Sequence, residues 1–161
     1  VSVIRVMQET VEEANRTFHR ADYQGAVKCY NKALRLCSSF SADVAFDRVR
    51  FEAIANSGLS AALGRQGKHL ESFAAANKAL AFFDQTDKLD DVEVGKYLTA
   101  QVNQGTALAA LGCFPAALEA LHRAKTIFND KGLDSTKNAQ WLQLVDGNIA
   151  AINEQIKKQQ M

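Results

Sequence analysis

The amino-acid sequence predicts an all-α fold of about seven helices, packed as antiparallel hairpins. Three observations carry this. Apolar residues recur at helical spacing along nearly the whole chain. Proline, which helix interiors exclude, occurs once in 161 residues, at Pro115. No stretch alternates apolar and polar residues between turn signals, as a half-buried strand would.

The elements follow in order. A first helix reads Val3, Met7, Val11, Ala14, Phe18, and a second reads Tyr23, Ala26, Val27, Tyr30, Ala33, Leu34, Cys37. Between them Asp22 is placed to cap the second helix by accepting orphan backbone N–H groups. Ser38 to Asp43 holds several capping residues, so a long third helix is expected from there to about Gln66, with Gly67-Lys68 as its break. The fourth presents His69, Phe73, Ala76, Leu80 and Phe83 on one face, and the polar stretch Gln85 to Asp91 reads as a loop. A fifth runs on Val94, Tyr97, Leu98, Gln101, Val102, Gly105 and Leu108, and Gly112 ends it. Pro115 suits the first turn of a sixth, where the missing N–H is harmless. That helix uses Phe114, Ala117, Leu118, Leu121, Ala124 and Phe128, with Lys131-Gly132 as its stop. Asp134-Ser135-Thr136 would cap a seventh on Trp141, Leu144, Val145, Ile149, Ile152 and Ile156, leaving Lys157 to Gln160 as a solvated tail.

Bulk composition bounds the function. With 19 basic and 18 acidic residues the net charge is +1, which gives no global field to draw in nucleic acid or an anionic membrane. No run of 18 apolar residues spans a bilayer, and no signal peptide is read at the start. The first residue is Val1, so excision from a longer chain is considered. Cys29, Cys37 and Cys113 form no disulfide framework and no CxxC pair, and free thiols point to the cytoplasm.

Three stretches align with one another: Ala21-Asp22-Tyr23-Gln24-Gly25-Ala26, Gly67-Lys68-His69-Leu70-Glu71-Ser72 and Gly112-Cys113-Phe114-Pro115-Ala116-Ala117. Ala26, Ser72 and Ala117 then stand 46 and 45 residues apart. Each stretch has a physical reading. A small residue ends one helix and permits a tight turn. An aromatic or His residue opens the next helix and packs back. Small residues at Ala26, Ser72 and Ala117, facing Ala14, Ser60 and Gly105, let two helices approach. Each hairpin leaves an apolar face bare, which a stacked neighbour covers.

These strings resemble tetratricopeptide repeats, which pair a small residue in the first helix, Gly-x-Tyr/Phe at the turn and small-x3-large-x2-Ala in the second. The likeness covers about residues 5 to 130. It implies a right-handed superhelical stack of helix hairpins in a single domain, with repeats at about 2–38, 42–86 and 90–131 and a capping helix at about 135–158. The second unit departs at His69 and Ala76, where larger aromatics are usual. The period also departs, at about 45 residues against the family's 34 or so. The extra residues lie mainly in Phe40 to Ile54 and Lys88 to Tyr97, so helices three and five are expected to be some two turns longer. Longer-period repeats resembling those of kinesin light chains and cell-polarity adaptors tolerate such extensions.

Chemistry is sparse. His19, His69 and His122 make no i, i+4 pair and have no acid or thiol at metal-ligand spacing, so no metal is expected. His69 takes the packing position and His122 the solvated outer side. Cys29 and Cys37 read as small hydrophobes. Cys113, at a helix N-terminus, is the best candidate for a reactive thiol. There is no GxGxxG, phosphate loop or calcium loop. Acid pairs Glu12-Glu13 and Asp90-Asp91 sit near helix starts, where they favour the dipole. No catalytic residue, no cofactor and no enzymatic activity are expected.

The resemblance instead points to the concave face lined by the first helices of each hairpin. Alignment places Glu12, Asn15 and His19 there from the first unit, Arg50, Ser57, Ala61 and Arg65 from the second, and Thr99, Asn103 and Thr106 from the third. Lys137 and Trp141 join from the capping helix. Asn103 is the sharpest candidate, because an amide offers donor and acceptor together to a peptide backbone. The clamp by which related repeats grip acidic chaperone tails falls here on Val11, Glu12, Gly58, Thr99 and Asn103. Only Asn103 fits, so no such clamp is expected. The expected function is a protein-interaction scaffold or adaptor holding a partner peptide or helix, without nucleic-acid binding or membrane insertion. An oligomerisation module of a larger protein and a secretion-type chaperone are the alternatives.

Overall fold

The helices pair in sequence order because each carries an apolar stripe and a short turn to its successor. The computed structural model describes residues 2–39, 45–131, 133 and 138–160. Among these are seven helices and no strand: α1 Val3–His19, α2 Tyr23–Ser38, α3 Arg48–Arg65, α4 His69–Phe83, α5 Asp91–Ala110, α6 Phe114–Asp130 and α7 Ala139–Gln159. Each packs on the next from α1 to α7, and α1, α3, α5 and α7 also touch in succession as one layer. Helices α2, α4 and α6 lie behind that layer. This is an all-α solenoid of helical hairpins.

The repeat is written in the backbone. Ala21, Gly67 and Gly112, aligned by sequence, all adopt left-handed φ values of 64°, 76° and 83°. In each turn the following N–H reaches back five residues: Asp22 to Thr17, Lys68 to Leu63 and Cys113 to Leu108, at 3.1, 3.0 and 2.8 Å. That pairing closes the last turn of the preceding helix. Asp22 accepts from the Gly25 N–H at 2.9 Å, capping α2. Pro115 lies in the first turn of α6, as its missing donor allows.

The facing small residues do what the motif requires. Ala14, Ala26, Ser60, Ser72, Gly105 and Ala117 are all buried. The Ser72 hydroxyl donates to the Ser60 carbonyl at 2.7 Å, tying α4 to α3. A Cβ on Gly105 would lie 2.8 Å from Leu121 Cγ, so that crossing needs glycine.

Helix α3 departs from expectation. It begins at Arg48, with Asp47 accepting the Arg50 N–H at 3.1 Å, and runs 18 residues against 17 in α1. Phe46, just before the cap, packs on Phe51 one turn into the helix, with ring centroids 5.7 Å apart. This staple fixes the chain's entry and stops helix from extending further back. Helix α5 is longer, at 20 residues, and starts on a capping box: Asp90 accepts from the Glu93 N–H at 2.8 Å while Glu93 accepts from the Asp90 N–H at 2.9 Å. The expected caps Ser41 to Asp43 and Asp134-Ser135-Thr136, and the stop at Gly132, lie outside the described residues.

Two apolar clusters form the interior. One gathers Met7, Val11, Ala14, Tyr30, Cys37, Phe51 and Leu59, and the other Leu80, Phe83, Tyr97, Leu98, Leu121, Phe128, Val145 and Ile152.

Candidate functional site

The layer of α1, α3, α5 and α7 lines an open cavity of about 750 Å³. Phe18 and His19 border it from α1, Ala61, Gly64 and Arg65 from α3, Val102, Asn103 and Thr106 from α5, and Trp141, Leu144 and Asn148 from α7. A smaller cavity of about 200 Å³ lies beside it towards α2, bordered by Asn15, Tyr30, Gly58 and Lys96. The two share Phe18, His19, Ala61 and Thr99 on their walls, so they adjoin.

The residues expected on this face do not all lie together. His19, Ala61, Arg65, Thr99, Asn103, Thr106 and Trp141 all border the large cavity. The exposed Arg65 is oriented by its neighbours: its guanidinium lies 5.8 Å from the Phe18 ring centre and 5.6 Å from that of Tyr23, and it donates to the Tyr23 hydroxyl at 3.2 Å. Asn103 spends an amide hydrogen on the Thr99 carbonyl at 2.7 Å. That bond to its own helix fixes the side chain rather than leaving both functions to a ligand. Thr99 itself donates to the Gly95 carbonyl at 2.9 Å. Asn15 borders only the smaller cavity.

Two others are placed elsewhere. Ser57 is fully buried, and its hydroxyl donates to the Lys96 carbonyl at 2.5 Å. It joins α3 to α5 and does not face the groove. Arg50 is drawn into an ion pair with Glu93, a second with Asp47 at 3.1 Å, and a stack 5.2 Å over Phe82. Helix α3 turns these two positions inward because α5 crosses it there. Glu12 is exposed and borders neither cavity, and Lys137 lies outside the described residues. His69 takes its packing position half-buried, with one side on the large cavity.

Lys96 is the residue sequence reasoning missed. It lies upstream of the third repeat's motif, in the extended part of α5, and the repeat offsets pair it with Phe51 and Arg5 rather than with any residue expected in the groove. Its ammonium reaches Asn15 Oδ1 of α1 at 3.3 Å. Burial pulls its pKa below the ordinary lysine value. The Tyr30 hydroxyl donates to the same Asn15 oxygen, and burial pushes that phenol up to about 12. Charge along the groove is one-sided: Arg65 and Lys96 border it, and among the described residues no Asp or Glu does.

Elsewhere, among the described residues, no cluster of three metal-ligating side chains occurs, and no helix is long and apolar enough to cross a membrane. Cys113 is exposed, Cys29 half-buried and Cys37 buried.

Solved structures share the architecture. A TPR-like protein from Chlorobium tepidum TLS superposes with a TM-score of 0.86 at 20% identity, covering 94% of this chain and 96% of that one. The TPR2B domain of yeast Sti1, determined as a complex with pHsp70, gives 0.65 at 21% identity over 92% and 97%. The Sgt2 TPR domain of Aspergillus fumigatus gives 0.64 at 18% over 96% and 81%. These likenesses establish a tetratricopeptide-type fold. A search of curated proteins finds no match. Residues 4–158 match the profile described as Domain of Unknown Function (DUF3856). A match of that extent places this chain in the DUF3856 family, here built as a tetratricopeptide-type solenoid.

Proposed function

We propose that the protein is a non-enzymatic interaction module whose groove between α1, α3, α5 and α7 holds a segment of a partner protein. The observation that carries this reading is the continuous cavity of about 750 Å³ with mixed lining. Phe18, Val102, Trp141 and Leu144 offer apolar contact, while Arg65, Asn103 and Thr106 supply polar groups along it. Such a combination suits an extended or helical peptide. The layer behind is packed, so the receptor loses little ordering entropy on binding. The yeast Sti1 domain, seen with pHsp70, supports the reading by fold alone. The groove acts within one domain of three repeats, at about 2–38, 42–86 and 90–131, as an adaptor, and the free thiols favour the cytoplasm as its compartment.

The test is affinity capture with the full chain, followed by mass spectrometry and quantitative recapture by Arg65→Glu and Asn103→Ala. Each variant is expected to reduce retention of the specific partner about tenfold, in line with loss of a polar contact at the interface. Equal retention by both would remove the groove from consideration. Light scattering separates this from self-assembly: a dimer closed through the groove would overturn the proposal.

A further inference from the structure

Lys96 carries chemistry that holding a peptide does not use. It is half-buried and borders the cavity of about 200 Å³, with Phe18, Gly58 and Ala61 on the same walls. Arg50 pairs with Glu93 and Asp47, and the half-buried Lys125 with Asp146 at 3.0 Å. Lys96 meets a neutral acceptor instead, Asn15 Oδ1 at 3.3 Å, and that oxygen also accepts from the Tyr30 hydroxyl. Among the described residues, His19 and Tyr30 are the titratable groups that share the cavity with it, and no acid borders it.

An ammonium in such a place is costly, because water is removed and no opposite charge replaces it. Burial therefore favours the neutral amine, below the ordinary lysine value of 10.5. The neutral amine is the nucleophile. An ordinary lysine holds only about one amine in a thousand unprotonated near pH 7.5, so a lowered pKa raises the reactive fraction. The root of the side chain is fixed as well. The Ser57 hydroxyl donates to the Lys96 carbonyl at 2.5 Å, which holds this turn of α5 against α3 beside the cavity.

We propose that Lys96 is a modification site, whose amine, held in this cavity without a counter-charge, takes a short acyl group from a small acyl thioester. The nitrogen lone pair attacks the thioester carbonyl carbon and the C–S bond breaks. The sulfur leaves as thiolate and takes up the proton that the nitrogen gives up, so the products are an amide and a free thiol. A thioester is activated enough for a neutral amine to displace the thiol without a further reactant. The product suits the site better than the ammonium does. An amide has no charge to desolvate, its N–H still has Asn15 Oδ1 as acceptor, and the cavity has room for a chain of a few carbons. Acylation also leaves Arg65 as the only Lys or Arg on the two cavities among the described residues. The reaction needs no partner segment in the groove.

The test treats the full chain with the acetyl thioester of N-acetylcysteamine at pH 7.5 and follows each lysine by mass spectrometry. Lys96 is expected to be acetylated about threefold or more faster than the exposed Lys28 and Lys32 of α2. Asn15→Asp then separates charge from access. Aspartate keeps an acceptor for both Lys96 and Tyr30 but sets a carboxylate beside the amine, which favours the ammonium. It should slow Lys96 about tenfold or more and leave Lys28 and Lys32 as they were. Acetylation of Lys96 no faster than that of Lys28 and Lys32 overturns the proposal, as does a Lys96 rate that Asn15→Asp leaves unchanged. The comparison within the unaltered chain decides the matter even where Asn15→Asp fails to fold.

Discussion

The phenol ring of Tyr30 lies directly on Gly58, so close that a Cβ added to that glycine would sit 2.3 Å from Tyr30 Cζ. Helix α3 crosses α2 at this point, and the ring is buried at 2% exposure. It cannot move aside, because its hydroxyl is held by Asn15. Gly58→Ala is therefore expected to destabilise by about 1–3 kcal/mol despite alanine's better helix propensity. Differential scanning calorimetry should show a melting temperature about 4–8 °C lower. An unchanged or higher value would contradict the packing.

The three turns differ in one respect that a matched set of variants can measure. Ala21 carries a left-handed φ of 64° where the other units have glycine. That conformation costs an L-residue about 1 kcal/mol. Ala21→Gly should raise stability by a few tenths to about 1 kcal/mol, part of the gain being offset by greater freedom in the unfolded chain. Gly67→Ala and Gly112→Ala should lower it by about 1 kcal/mol each. A Cβ at either glycine would meet nothing within 4 Å, so the effect is one of backbone alone. Denaturant titration of the three variants checks both signs.

Alkaline pH should weaken the fold. Burial, followed by the neighbouring Glu52 carboxylate, pushes the Cys37 thiol from 9.0 up to about 11. Burial pushes the Tyr30 phenol from 10.0 up to about 12. Tyr97 is raised as well, by burial and then by its bond to Asp84. The folded chain thus keeps protons that the unfolded chain releases, and stability falls wherever the unfolded state binds fewer. Stability is expected to be full below about pH 9 and to decline as pH rises from about 9 towards 12. Urea titrations across that range, repeated on Tyr30→Phe, should show a shallower decline in the variant.

The same burial predicts an order of thiol reactivity. Cys113 is exposed, Cys29 half-buried and Cys37 buried. Alkylation followed by mass spectrometry should modify Cys113 first and Cys37 last, the latter only at a rate set by opening of the fold. Early labelling of Cys37 would count against its placement.

Glu93 joins two structures at once, the capping box of α5 and the ion pair with Arg50 of α3, at 7% exposure. Glu93→Ala removes its side-chain half of the capping box, the bond from the Asp90 N–H, and leaves Arg50 without its α5 partner, and should cost about 2–4 kcal/mol. A double-mutant cycle with Arg50→Met should return a coupling of about 1–3 kcal/mol. Coupling near zero would make the pair a surface contact only.

Much of the fold was legible because local chemistry and the repeat agree. Asp22 capped the helix it was placed to cap, and the aligned Ala21, Gly67 and Gly112 shared one conformation. The start of α3 was not legible, since Asp47 and the Phe46–Phe51 staple compete with the richer capping cluster upstream. Arg65, Thr99 and Asn103, placed on the groove face by the repeat alignment, do border the cavity. The alignment failed at Ser57 and Arg50, which α5 covers, because facing direction there depends on how the neighbouring hairpin crosses. Lys96 escaped notice for the complementary reason: its partner Asn15 lies 81 residues away in sequence, and only stacking brings them together.

The division of the interior into two apolar clusters has a kinetic meaning. Helices α1 and α2 contribute only to the first, whereas α5, α6 and α7 contribute only to the second. Heat or denaturant can then peel the leading hairpin off while the trailing helices keep their own interior, as one-dimensional arrays allow. Amide protons of α1 and α2 would exchange through this partial opening and those of α5 through a larger one. Since Asn15 departs with α1 and Lys96 remains on α5, each such excursion would take the groove apart at its deepest point, so a bound segment would act as a staple between the two halves.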